Sequence, residues 1–317
     1  MGATSGEAII KTMMRYDQLN RLLDGRLVRE EILAPHTTFG IGGPAAFYFS
    51  ALTPTDIIRA VRACRKNDLR FFILGGGSNI LFDDKGFDGM IIKDLTDRFR
   101  VNGIRIAALS GAIIDKMVDK TVELSLGGME YAAGIRGTIG GAVYGNAGAF
   151  GHAINEVLES AVILTGRECR IEVVDNDYFK FRYRKSRLSE TGDIIVSVTL
   201  RLWPEDKKRL TEVVNERRQF RRDRHPVGLG CAGSVFKNLR SLEDPENVTP
   251  AGKLLEQAGV RGMSVGDAAV FEKHCNIVVN RGKATSADVK CLVALMQNTV
   301  KDKFGLDLER EILYIDP

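Results

Sequence analysis

The sequence predicts an α/β protein. Three observations lead there: a strand–helix–strand run near the N-terminus that ends in a glycine triplet, a second glycine-rich stretch further on, and an ordinary globular composition. Hydrophobic residues make up 44% and charged residues 27% of the 317 residues, enough for sizeable cores and against long disorder. That length suits roughly two or three domains. The 33 glycines are clustered rather than spread.

Residues 1–30 read as a charged amphipathic lead-in. Thr53-Pro54-Thr55-Asp56 marks a helix start, with Thr53 as cap, Pro54 at the first helical position and Asp56 completing a capping box. Ile57, Ile58, Val61 and Cys64 follow at helical spacing. The run Phe71-Phe72-Ile73-Leu74 has a buried-strand pattern and leads straight into Gly75-Gly76-Gly77-Ser78-Asn79; Gly89-Met90-Ile91-Ile92 is the next strand. Between residues 98 and 203 the strand candidates are 104–109, 161–164 and 194–200, with the second glycine stretch, Gly134 to Gly151, between them. Trp203-Pro204 is expected to end the last strand, because proline cannot continue a central ladder. A charged helix is expected over 205–224. A second helix starts at the Thr285/Asp288 capping box, buries Val289, Leu292, Val293, Met296 and Val300, and stops at Gly305. Glu311-Ile312-Leu313-Tyr314-Ile315 closes the chain as a strand.

Composition excludes several classes. A net charge of +4, from 45 basic and 41 acidic residues, is too small for a dedicated nucleic-acid binder. Cys64, Cys169, Cys231, Cys275 and Cys291 are scattered and form no CxxC pair, which suits reduced thiols. His36, His152, His225 and His274 show no paired spacing, so no metal site is expected. No apolar run reaches the roughly 20 residues of a membrane span. Glu7 and Lys11 interrupt any signal-like N-terminus, and Gly6 breaks the myristoylation pattern after Gly2. A cytoplasmic location is the expectation.

Glycine after a strand permits positive φ and lets backbone amides approach a ligand's phosphate oxygens. A glycine triplet alone is equally a tight turn. The dinucleotide fingerprint fails at Ile80, and the phosphate-loop pattern fails where Leu254 follows Gly252-Lys253. The second cluster, Gly134-Ile135-Arg136-Gly137-Thr138-Ile139-Gly140-Gly141 followed by Asn146-Ala147-Gly148, shifts the balance toward a large phosphate-bearing cofactor.

Eight segments, in order, resemble the UDP-N-acetylenolpyruvoylglucosamine reductase family. They are residues 36–45 (HTTFGIGGPA), 74–81 (LGGGSNIL), 134–142 (GIRGTIGGA), 183–186 (YRKS), 233–238 (GSVFKN), 251–259 (AGKLLEQAG), 273–276 (KHCN) and 308–312 (LEREI). The resemblance implies an FAD-binding fold of the p-cresol methylhydroxylase type. Two α/β subdomains grip non-covalent FAD, and a C-terminal α+β domain covers the substrate. It places the first subdomain at 1–80 and 304–317, the second at 81–204 and the substrate domain at 205–303. The spacing after Tyr183 is similar to that of the shorter subtype. Arg136 and Leu239 stand where the family usually has proline, and Phe150 where it usually has tyrosine.

The resemblance also implies the chemistry. NADPH reduces FAD, which then reduces the enolpyruvyl ether of a UDP-linked sugar to a lactyl ether, in peptidoglycan precursor synthesis. Arg184 matches the arginine that steadies the carboxylate as it gains electron density, a role suited to a permanently charged planar fork. Ser234 matches the proton donor, and positioning next to a strongly basic carbon makes a serine adequate. Glu311 helps only if protonated or locked to Arg184, since an ionised carboxylate would repel the substrate; Glu309 is the neighbouring decoy. Gly75, Gly76, Gly77, Ser78, Asn79, Gly137, Thr138, Gly140 and Gly141 are the expected FAD contacts, with Arg136 an added cation near the pyrophosphate. Tyr183, Lys237, Asn238 and Lys253 are the expected substrate contacts.

The competing readings are an oxygen-using oxidase of the same fold, a nucleic-acid binder working through Arg217, Arg218, Arg221, Arg222 and Arg224, and a cofactor-free nucleotide-sugar binder. The arginines alternate with Glu212, Glu216 and Asp223, so a mixed solvated helix face is expected instead. Partners beyond the substrate and NADPH are not expected: a monomer, with no nucleic acid and no membrane.

Overall fold

A computed structural model describes residues 15–240 and 248–317. The expectations resting on Gly2, Gly6, Glu7 and Lys11 lie outside the described residues. Strands Val28–Ile32, Pro44–Ala51, Phe87–Asp94 and Phe71–Leu74 form a sheet in that order, the first pair antiparallel and the rest parallel. Side chains alternate between its faces: Phe47, Phe49, Met90 and Ile92 enter one apolar cluster, Ala45, Tyr48 and Ile91 another. Phe71–Leu74 and the Met90–Ile92 stretch, covered on both faces, read as unbroken apolar runs, whereas the edge strand Val28–Ile32 is mostly exposed and carries Arg29, Glu30 and Glu31.

Helix Pro54–Lys66 covers one face and starts where the sequence says it should. The Thr53 hydroxyl accepts the Asp56 N–H at 3.2 Å, and the Asp56 carboxylate accepts the Thr53 N–H at 3.0 Å. Ile57, Val61 and Cys64 are buried beneath it. Phe87–Asp94 lies in this first sheet although it falls past the boundary read at residue 80. Its pairing with both Pro44–Ala51 and Phe71–Leu74 holds it there.

A second, wholly antiparallel sheet runs in the order Arg170–Asp175, Leu158–Thr165, Ile194–Arg201, Arg105–Leu109 and Phe99–Asn102. Leu164, Cys169 and Val196 turn toward the helix Pro54–Lys66 and share its cluster, which ties the two sheets together. The opposite face buries helices Ile114–Glu123 and Ile139–Tyr144. Trp203–Pro204 does not extend the central strand, which ends at Arg201. It pairs instead with Leu126–Gly127 in a two-residue ribbon, where a missing N–H costs little.

The third sheet orders Gly230–Ser234, His274–Asn280, Ala268–Phe271 and Ser264–Val265. Helices Ala251–Ala258 and Ser286–Phe304 pack on it. The second of these has the Thr285/Asp288 capping box, buries Val289, Leu292, Val293, Met296 and Val300, and ends at Gly305 with φ 69°. Helix Lys207–Arg224 instead packs its buried Val214 into the second sheet's cluster. The final strand, Leu313–Ile315, returns to pair in parallel with Ile80–Phe82. Among the described residues no helix is long and apolar enough to cross a membrane.

Two substitutions separate capping from packing in helix Ser286–Phe304. Thr285→Ala removes a cap and lowers unfolding free energy by about 1 kcal/mol, whereas Met296→Ala opens a cavity and costs about 2–5 kcal/mol. Urea denaturation measures both.

Candidate active site

The two glycine loops lie against each other. A Cβ on Gly76 would sit 2.8 Å from Gly137 Cα, and one on Gly75 would sit 2.5 Å from Thr138 Oγ1. Gly77, at φ 65°, would press a Cβ to 2.4 Å from the His36 carbonyl. Packing therefore demands these three glycines before any ligand does. Gly141 differs: it is exposed, and a Cβ there meets only Thr138 Oγ1 at 3.6 Å.

Polar contacts hold the first loop from its outer side. Lys93 Nζ donates to the Gly75 carbonyl at 2.6 Å, Thr38 N–H to the Gly77 carbonyl at 3.0 Å, and Ser78 Oγ to the Arg136 carbonyl at 2.7 Å. Among the described residues no acceptor meets the backbone N–H of Gly76, Gly77 or Ser78. Successive amides without internal acceptors are donors suited to an anion, and their chemistry fits a cofactor pyrophosphate. Thr138 caps helix Ile139–Tyr144, its hydroxyl accepting the Gly141 N–H at 3.4 Å, and Gly140 packs on Ser110.

Arg184 stands at the second central position of a two-residue turn that Arg182 and Lys185 close with reciprocal backbone bonds of 2.9 and 3.1 Å. Its φ is 53°, a left-handed conformation that non-glycine residues rarely hold. The second glycine stretch braces the turn: Asn146 Nδ2 donates to the Arg182 carbonyl at 3.0 Å, and Ser186 Oγ to the Tyr144 carbonyl at 2.6 Å.

Ser234 ends strand Gly230–Ser234 just after a bulge at Gly233, where φ is 76°. Buried Asn276 secures the residues that follow. Its Oδ1 accepts the Phe236 N–H at 2.9 Å and its Nδ2 donates to the Phe236 carbonyl at 2.8 Å. The returning C-terminal segment then runs beside this stretch. Glu311 N–H donates to the Val235 carbonyl at 2.8 Å, and Lys237 N–H to the Glu309 carbonyl at 2.9 Å.

These contacts bring Glu311 to Arg184. Arg184 Nε lies 2.7 Å from Glu311 Oε1, but its N–H points off that line and meets no acceptor. Charge holds the pair, and the guanidinium keeps donors for a third partner. Burial pushes the Glu311 carboxyl up, with Arg184 and then Lys237 pulling less strongly the other way. Glu309 instead pairs with Lys237 at 2.6 Å, a contact that occupies the lysine expected to meet substrate. Asn238 donates its N–H to the Tyr183 hydroxyl at 3.4 Å, and its Oδ1 accepts the Ala251 N–H at 3.1 Å. Lys253 is exposed on helix Ala251–Ala258.

The arginine-rich helix departs from the solvated face read in sequence. Arg218 pairs with Asp115 and Asp119 at 2.8 and 2.7 Å, and Arg221 Nε donates to the Ala133 carbonyl at 2.9 Å. Arg217 lies over the Phe150 ring at 5.1 Å. Only Arg222 and Arg224 of the five arginines are exposed. The inward group sits four residues apart or nearly so, and with Leu210 and Val214 it forms one helix face. Asn146 and Asn276 lie within motifs read in sequence but are given no role there; an amide side chain inside an apolar or glycine-rich run is the signal that marks them. His36 is structural, between Glu31 at 2.7 Å and the Tyr48 hydroxyl at 3.2 Å.

His225 and His274 face each other with ring centroids 6.1 Å apart. Burial, reinforced by Arg221, His274 and Arg136, pushes His225 from 6.5 down to about 4. The unfolded chain then takes up its proton first as pH falls. Stability present above 6.5 is therefore lost as pH drops through about 4. Urea midpoints across that range should fall with pH in the parent chain and fall less steeply in His225→Gln.

Residues 45–171 match the family model described as an FAD binding domain, and residues 225–315 match that of the UDP-N-acetylenolpyruvoylglucosamine reductase C-terminal domain. The UDP-N-acetylenolpyruvoylglucosamine reductase of Agathobacter rectalis is 39% identical over 305 residues, covering 91% of this chain and 94% of that protein. The enzyme of that name from Clostridium perfringens strain SM101 is 32% identical over 309 residues, covering 96% and 99%. The crystal structure of UDP-N-acetylenolpyruvylglucosamine reductase from Thermus caldophilus superposes with a TM-score of 0.76 at 28% identity, covering 91% of this chain and 98% of that one. The expected fold, an FAD-binding part followed by a C-terminal α+β domain, is the one found. The chain belongs to the UDP-N-acetylenolpyruvoylglucosamine reductase family of FAD-dependent oxidoreductases.

Proposed function

We propose that this chain reduces UDP-N-acetylglucosamine enolpyruvate to UDP-N-acetylmuramate with NADPH as reductant, a step in peptidoglycan precursor synthesis. One juxtaposition supports this most: the Arg184–Glu311 pair at 2.7 Å, joined by backbone bonds to the segment that follows Ser234. FAD, when bound, supplies hydride transfer between NADPH and the vinyl carbon. The amides of Gly76, Gly77 and Ser78, with Gly137 to Gly141 and the exposed Arg136 beside them, are the groups to hold its pyrophosphate.

The chain's own residues then manage charge and proton. Reduction of the vinyl group leaves an electron pair on the carbon next to the substrate carboxylate. Arg184 offers its remaining guanidinium donors to that carboxylate and stabilises the added density. Glu311, its carboxyl already raised by burial, takes the neutral form beside the substrate and donates a hydrogen bond rather than repelling it. Ser234 Oγ gives its proton to the carbon and recovers one from solvent. Tyr183, Lys237 and Asn238 form the diphosphate end of the site, and Lys253 is its outermost cation. Lys237 keeps two further ammonium donors beside its contact with Glu309.

Anaerobic visible spectra test the assignment. A flavin band should bleach with NADPH and return with the enolpyruvyl substrate. Return with oxygen alone would identify an oxidase instead. Ser234→Ala should keep the bleaching and slow the return about 10²–10⁴-fold. Wild-type return rates in both Glu311→Asp and Glu311→Gln would remove Glu311 from the mechanism.

Loop glycines give a separate check by FAD fluorescence titration. Gly76→Ala forces the loops apart and should abolish FAD retention and lower stability. Gly141→Ala, with room for its methyl, should keep the parent stability and weaken only FAD binding.

A further inference from the structure

Outside the site just described, a cluster of like charge surrounds an open cavity of about 200 Å³, lined by Lys180, Arg182, Lys185, Ser186, Arg187 and Glu190. Four cations face one acid. Glu190 is held by Lys185 at 2.7 Å, and Lys180, Arg182 and Arg187 have no ion-pair partner among the described residues. Three unneutralised cations around one concavity repel one another, an arrangement that a multivalent anion relieves.

We propose that this cavity is a second anion site, taking a small diphosphate group. Its volume is below the range usual for drug-sized ligands, so a whole nucleotide would not be enclosed. Three positive groups in excess favour a diphosphate over a singly charged anion. Arg187 is partly preorganised, with its guanidinium 4.8 Å from the Tyr178 ring centre. The cavity is separate from the catalytic cleft. Arg184 turns toward Glu311, while Arg182 and Lys185, which flank it, line the cavity. A bound anion would thus sit against the stem of the turn that holds Arg184 at φ 53°.

Isothermal titration of the FAD-loaded full chain with inorganic pyrophosphate, at fixed ionic strength, tests this. Saturable binding is expected, weakened about tenfold by Lys180→Gln or Arg187→Gln. Glu190→Gln removes the competing carboxylate and should tighten binding about threefold, a gain that a damaged fold cannot produce. Lys237→Gln, in the catalytic cleft, should leave the affinity unchanged. Inorganic phosphate should bind at least about tenfold more weakly than pyrophosphate. Equal affinities would overturn the diphosphate assignment. Absence of saturable binding would overturn the site, and so would binding that Lys237→Gln abolishes and Lys180→Gln leaves intact.

Discussion

A short backbone ladder near residues 309–313 holds the candidate active site together. Lys237 N–H donates to the Glu309 carbonyl, Glu311 N–H to the Val235 carbonyl, and Leu313 N–H to the Asn79 carbonyl, at 2.9, 2.8 and 3.0 Å. Asn79 Nδ2 adds a bond to the Glu311 carbonyl at 3.2 Å. Residues 309–313 are thereby joined to the segment after Ser234 on one side and to the first glycine loop on the other. Such bonds are individually modest, near 1 kcal/mol each. Their value is positional: they leave Glu311 one place to be, and that place is beside Arg184.

The second constraint is steric. Gly76 and Gly137 approach so closely that no side chain fits between the loops. The two loops therefore meet there through backbone, and among the described residues the amides of Gly76, Gly77 and Ser78 have no protein acceptor. A pyrophosphate placed there would be held by groups already ordered by protein packing. Cofactor binding then costs little further conformational entropy. Of Gly75, Gly76, Gly77, Gly140 and Gly141, the last is the one that packing does not demand.

Around this frame, charge is distributed by pairing. Arg218 is matched by Asp115 and Asp119, Lys237 by Glu309, and Arg184 by Glu311. Of these pairs, the last is the one in which burial pushes the carboxyl up against the pull of its partner. Leu239, where the family usually has proline, forms part of a small ribbon with Thr249. Phe150 stacks edge-on with Phe220 and lies under Arg217, which gives that departure a packing role.

Local chemistry wrote much of this into the sequence. Both capping boxes, the apolar stripe from Val289 to Val300, the strand at Phe71–Leu74 and the stop at Gly305 depend on residues within a few positions of each other. The motifs around Arg184, Ser234 and Glu311 were equally legible, since each is a short contiguous string. What tertiary structure alone decided were the partners. Glu309 and Glu311 are two residues apart and chemically alike, yet one meets Lys237 and the other Arg184. Arg218 and Arg221 read as solvent-facing charges until the helix docks on the second sheet's helices and turns them inward. Side-chain type and spacing set an element's shape locally, whereas an ion pair or a glycine contact depends on where a segment tens or hundreds of residues away comes to rest.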